Sequence, residues 1–281
     1  MIAMRPILTL TKLTLHEAMR RRILLAALLC GLAFLVLFGA GLHAIVSDPR
    51  SRAGMTLLER RVMLNFLTLA GLYAVNFLLV MTAVLLPVDT LSGEIASGVI
   101  QTVAAKPIRR SDIVLGKWLG HWLVMAGYLA LLAGGVLAIA RVFGHFTPPH
   151  VARGLPLMLL EGTVLLTLSV AGGTRLSTVT NGILAFGLYG LAFIGSWVEQ
   201  IGTLTGHDTA RYVGTIASLI MPTEAMWQLA AFNMQPPIMR ELAATPFSPA
   251  SVPSAAMVVW AAAYAAVALA IGVRAFTKRA L

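Results

Sequence analysis

Charge is what this 281-residue chain has least of: 11% of its residues are charged, against 58% hydrophobic. Soluble domains carry about 25% charged residues, so a water-facing globular fold is excluded. Cysteine is nearly absent. Cys30 stands alone, which rules out an intrachain disulfide and any C-x-x-C redox or metal pair. There is no G-x-x-x-x-G-K-[ST] stretch to cradle phosphates and no H-E-x-x-H zinc pair. The string GAGLHA at 39–44 imitates a dinucleotide fingerprint, but no strand precedes it. The alternation that marks a membrane barrel, repeated over stretches of about ten residues, is missing too. His207, Met221, Met226, Met234 and Met239 share one segment, yet their spacing is irregular, and methionine is an adaptable packing residue. No metal is expected.

What the chain does have is six long apolar runs, near 23–46, 62–88, 118–140, 155–173, 182–198 and 252–273. A bilayer's hydrocarbon layer, about 30 Å thick, takes about 20 helical residues, and backbone within lipid must bond to itself. The fold class is therefore an all-α integral membrane protein with six transmembrane helices, residues 1–281 forming a single transmembrane domain. The fourth and fifth runs are separated only by Arg175 to Asn181, the spacing of a tight hairpin. The first run is longer than the core of a cleaved signal, so it is expected to remain as an anchor.

The net charge of +10 invites a nucleic-acid reading, but its distribution argues against one. With the N-terminus inside, 13 of the 21 bases face the cytoplasm, and Arg20, Arg21 and Arg22 abut the first span. Arg50, Arg52, Arg60 and Arg61 in the first outer loop run against that bias. The expected location is the cell (inner or cytoplasmic) membrane, multi-pass, with both termini cytoplasmic.

Three segments lie beside the spans. Residues 5–22 place Leu8, Leu10, Leu13 and Leu15 in a strand-like alternation. A lone strand would leave its backbone unpaired, so an N-terminal interfacial helix is expected instead. Segment 89–117 repeats Ile95, Val99, Ile100 and Val103 at helical spacing, breaks at Pro107, and restarts with Ser111 and Asp112 as caps. This reads as a short cytoplasmic helix, a bend, and a helix feeding the third span; its apolar stripe reads as a docking surface. Segment 199–251 is a long outer loop before the last span. It holds helices near 209–220 and 223–233, with Trp227 at the bilayer interface and a proline-punctuated, irregular tail.

The stretch LSGEIASGVIQTVAAKPIRRSDIVLGKWLG at 91–120 carries an acidic Gly-Glu pair, a second glycine, a basic-Pro-x-x-Arg turn and a Gly-Lys pair. With the basic HEAMRRR segment entering the first span and the PTEAMWQLA string at 222–230, it resembles the permease subunits of type-2 ABC exporters, particularly the six-span NosY-like group. The resemblance extends over nearly the whole chain, much of it as the order of parts. It implies that 91–105, with Ser92, Gly93, Glu94 and Gly98, is a coupling helix seated in a groove of a separate ABC ATPase subunit, present in two copies. Glu94 would pair with a base on that ATPase and Gly98 would permit close approach. Lys106, Pro107, Arg109 and Arg110 would form the bend, and Gly116 and Lys117 would start the third span. It further implies that a second permease copy or a paralogue completes the pathway. On this resemblance the chain binds no cofactor and is no enzyme; ATP and Mg sit on the partner ATPase.

Glu161 is the one acid or base inside a run, and an intramembrane charge is a functional candidate because it is expensive. Pairing with Arg141 or Arg153, or protonation, is the plainer account. Asn65, Asn76 and Asn181 are cheaper and commonly bond helix to helix. Glu161, Asn181, Gly187, Gly190 and Gly195 are the candidates for the pathway or a dimer contact. Gly116 and Gly120 form a G-x-x-x-G that suits close packing. Two competing functions remain. A membrane-embedded enzyme needs paired catalytic groups at one depth, which Glu161, His43 and His121 do not supply. An ion-coupled transporter working without an ATPase needs more intramembrane carboxylates.

Overall fold

The computed structural model describes residues 4–48, 55–104, 108–237 and 251–279. Among these, the regular structure is entirely helical: α1 (Met4–Arg20), α2 (Arg22–Ser47), α3 (Leu57–Leu85), α4 (Ser92–Ala96), α5 (Val99–Ala104), α6 (Arg110–Gly144), α7 (Val151–Gly172), α8 (Thr178–Thr205), α9 (Asp208–Ile220), α10 (Thr223–Asn233) and α11 (Ala255–Thr277). Six of them, α2, α3, α6, α7, α8 and α11, are long and apolar enough to cross a membrane. Each covers one of the six runs. Lys106, Pro107 and the irregular tail over 238–250 lie outside the described residues.

The spans are unequal. In α3 and α7, 61% of the apolar window is buried within the chain, against 17% in α2 and α11 and 22% in α8. So α3, α6 and α7 form the core, where Leu72, Leu79, Leu132, Val136, Met158 and Leu165 are fully buried. The outer three turn most of their apolar surface outward. Local chemistry sets the ends. At the start of α3 the Thr56 hydroxyl accepts from Glu59 N at 3.2 Å, and Glu59 accepts from Thr56 N at 2.7 Å. This reciprocal cap satisfies two donors that a helix start leaves open.

One expectation is corrected here. The helix of the third span begins at Arg110, with Arg109 as its cap and no side-chain bond to it. Ser111 and Asp112 lie inside the first turn, because Ile113 and Val114, both fully buried, extend the apolar stripe backwards. Gly116 and Lys117 consequently lie in the second turn of this helix. The alternating leucines of segment 5–22 belong to a helix, α1, whose inward face is Thr11, Thr14 and Ala18. That face packs on α6 where glycine leaves room: a Cβ at Gly116 would sit 2.6 Å from Leu10 Cβ, and one at Gly120 would sit 2.7 Å from Thr14 Cβ. The G-x-x-x-G of the third span thus seats the first helix. Leu8, Leu13 and Met19 point outward, which the sequence alternation disguised.

The segment after the fifth span folds back onto the bundle. α9 lies against α8 at contacts so close that a Cβ on Gly195 would fall 2.3 Å from Ala217 Cβ, and one on Gly202 would fall 2.5 Å from Ala210 Cβ. α10 then packs against the core, with Ala225, Met226, Trp227, Ala230 and Ala231 buried. Trp227 is 2% exposed, so it does not sit at a lipid interface. Its ring lies 5.4 Å from that of Tyr73, because α10 turns this face to protein.

Candidate functional site

The link between the second and third spans is built from short-range bonds. Residues 86–91 leave α3 and tie themselves down at once. Asp89 accepts from the Thr178 hydroxyl at 2.8 Å, and Ser92 Oγ lies 2.8 Å from that same hydroxyl oxygen while donating to Val88 O at 2.9 Å. A Cβ on Gly93 would meet Asp89 Oδ1 at 2.3 Å, so glycine lets the carboxylate fold over the start of α4. Glu94 is held in an ion pair by Lys117 of the same chain, which α6 brings beneath it. The base expected opposite Glu94 on another chain has a counterpart within this one. Gly98 joins α4 to α5 with φ +75° and open space around its Cβ position. Glycine there serves the left-handed bend, with no close neighbour to accommodate.

Beyond the pair, the same network reaches the remaining spans. His121 Nδ1 donates to Lys117 O at 2.8 Å, and the Thr90 hydroxyl donates to its Nε2 at 3.2 Å. Arg110 donates to Arg279 O at 2.5 Å, just past the end of α11, and to O of Thr277, its last residue, at 3.4 Å; Arg279 in turn donates to Thr174 O. Arg109 is exposed. Asn181 donates to Ser169 O at 2.7 Å and to Val88 O at 3.4 Å; it knits α7, α8 and the link together. Asp89, Thr90 and Thr178 carried no signal in the sequence, being ordinary residues made important by distant neighbours, and His121 stood out there only as a catalytic group.

A second polar cluster is buried deeper. Glu161 in α7 is fully buried, and Asn76 Nδ2 donates to its Oε1 at 3.1 Å. No arginine pairs with it among the described residues. Glu224, at the start of α10 and outside the six spans, is 5% exposed; burial pushes its carboxyl up to about 8. Glu161 Oε2, Glu224 Oε2, Asn76 Oδ1 and Thr223 Oγ1 meet no hydrogen-bond partner among the described residues. Nearby, Asn65 donates to Met234 O at 3.1 Å, fixing the end of α10 to α3. Glu224 escaped the sequence reading because it stands in what looked like a loop.

The candidate pathway glycines separate. Gly195 is covered by α9, whereas a Cβ placed on Gly187 or Gly190 would have nothing within 4 Å. These two face away from the rest of the described chain.

A family model described as ABC-2 family transporter protein matches residues 8–281. The chain is 29% identical over 187 residues to a probable ABC transporter permease protein NosY of Pseudomonas aeruginosa, covering 60% of each chain. It is 28% identical over 144 residues to the protein of the same description in Stutzerimonas stutzeri, covering 49% of this chain and 46% of that one. The similarity therefore spans less than two thirds of either relative.

Proposed function

Since the chain belongs to the ABC-2 family of transporter proteins, we propose that it is the membrane-spanning permease of an ATP-driven exporter. In this reading two permease copies, or one with a paralogue, flank a pathway and dock two ABC ATPase subunits that hold ATP and Mg. Both termini and the α4–α5 element lie on the cytoplasmic side of the inner membrane.

The observation that carries this reading is the way α4 and α5 are mounted. Ile100 is buried and Ile95 packs on the core, while Ala96, Ser97, Gln101 and Thr102 are exposed and Val99 is half exposed. One face is anchored and the other is free for a partner. A push on that free face passes through Glu94 and Lys117 into α6, and through Asp89 and Ser92 into the first turn of α8. Arg110 carries it to the end of α11. Three spans thus respond together, as a packed, bistable bundle requires. Gly187 and Gly190, open on α8, suit the approach of the second copy.

The test is capture of the ABC ATPase by the reconstituted permease. Val99→Asp combined with Thr102→Asp should abolish capture and cargo-stimulated ATP hydrolysis while leaving the thermal unfolding of the permease unchanged. Normal capture by this variant would refute the coupling role.

One observation favours a second reading. Glu161 and Glu224 are two buried carboxyls with no base paired to them among the described residues, as proton-coupled transport requires. Proteoliposomes lacking any ATPase, loaded with a pH-sensitive dye, decide it. Proton uptake that Glu161→Gln removes supports ion coupling, and no uptake supports the ATP-driven reading alone.

A further inference from the structure

Outside both clusters, one groove has a shape and charge that the permease reading does not use. It runs between the end of α7, the start of α8 and the length of α11, and encloses about 730 Å³. Its floor is where α11 meets α7: a Cβ on Gly272 would lie 2.9 Å from Ala171. Its walls are apolar, and Leu184, Val267 and Ile271 among them are 49%, 58% and 61% exposed, so no other part of the described chain covers them. From Lys278 to Trp260 the groove follows α11 for about 27 Å at the helical rise, the length of an extended acyl chain with its headgroup.

The end of the groove is basic. Arg175, Arg274 and Lys278 line it, and none of them is in an ion pair among the described residues. A smaller hollow of about 310 Å³ adjoins it through Arg175 and Lys278 and adds Arg279, which is held in place by its bond to Thr174 O. Three bases around a headgroup-sized cup, with Arg274 on the groove beside it and a trough of apolar wall beyond, match an amphiphile with an anionic head. A second copy of this chain is a poor occupant. Across a twofold contact the same patch meets itself, which would set these bases against one another, and the chain holds only 11 acids against 21 bases.

We propose that this groove is a binding site for an anionic phospholipid, its phosphate on Arg175, Arg274 and Lys278 and one acyl chain extended along α11 toward Trp260. The site belongs to the membrane-spanning chain itself and holds whether or not an ATPase is bound.

Trp260 reports occupancy. The protein is reconstituted in phosphatidylcholine vesicles carrying increasing fractions of either dibrominated phosphatidylglycerol or dibrominated phosphatidylcholine. Fluorescence quenching is measured with the Trp260→Phe protein as the subtraction. Dibrominated phosphatidylglycerol should half-quench Trp260 at a roughly tenfold lower mole fraction. The Arg175→Gln, Arg274→Gln, Lys278→Gln triple variant should bring the two lipids together. Equal half-quenching of the wild-type protein by both lipids overturns the proposal without recourse to any variant. So does a preference that survives in the triple variant, or the absence of Trp260 quenching by either lipid, the result expected if protein fills the groove.

Discussion

At the α4–α6 end of the bundle, acids meet donors: Asp89 takes the Thr178 hydroxyl and Glu94 takes Lys117. In the interior, Glu161 has one amide from Asn76, and Glu224 Oε2 meets no donor among the described residues. The first region resembles a truss, in which charge is spent on tying elements together. The second keeps two carboxyls with no base paired to them among the described residues, where an unpaired buried charge is costly. Polar groups in the first fix geometry, whereas Glu224 in the second remains able to change protonation.

The sharpest way to break this contrast is to remove one half of the ion pair. Lys117→Met leaves Glu94 partly buried without its base, and should lower stability by about 3–5 kcal/mol, read as thermal unfolding in detergent. Glu94→Gln combined with Lys117→Met should recover most of that loss. If the single variant unfolds like the wild type, the pair is ornamental and the truss idea fails.

Next in size is the pH response of the interior. Glu224 is raised from 4.5 to about 8 in the folded chain, so between these values the unfolded chain has released a proton that the folded chain retains. Stability is then greatest below 4.5 and falls as pH rises to about 8, levelling off above it. Glu224→Gln should flatten this slope, by a few kcal/mol at most at the alkaline end. Identical slopes in variant and wild type would show that Glu224 does not hold its proton.

Gly116→Val tests the truss end without touching its charges. The added side chain meets Leu10 and Ile7 O, and should cost about 2 kcal/mol while exposing α1 to protease. The smallest effect serves as a control away from both regions. Thr56→Ala removes one side of the α3 cap and should cost about 1 kcal/mol, with the pH slope and the behaviour of α1 unchanged.

Much of the fold was legible because lipid imposes a coarse rule. A run of apolar residues long enough to cross must be a helix, and all six were found near their observed places. The helices at 209–220 and 223–233 were legible from local pattern as well. Their destination was not: nothing in PTEAMWQLA says that Trp227 packs beside Tyr73, since an amphipathic aromatic suits an interface as well as an interior. The stretch from Ser92 to Lys117 was picked out as a unit. Its internal bonds depend on which residue of α6 comes to lie beneath α4, and helix rotation cannot be read from composition.

The sequence by itself determined the solvent of this protein, the number and order of its crossings, and its family, because burial in lipid and chain order are properties of consecutive residues. Tertiary structure alone decided that Gly116 and Gly120 seat α1, that Glu94 answers to Lys117, and that Glu224 joins Glu161 in the interior. These are contacts between segments far apart in the chain, set by packing geometry that no local stretch contains.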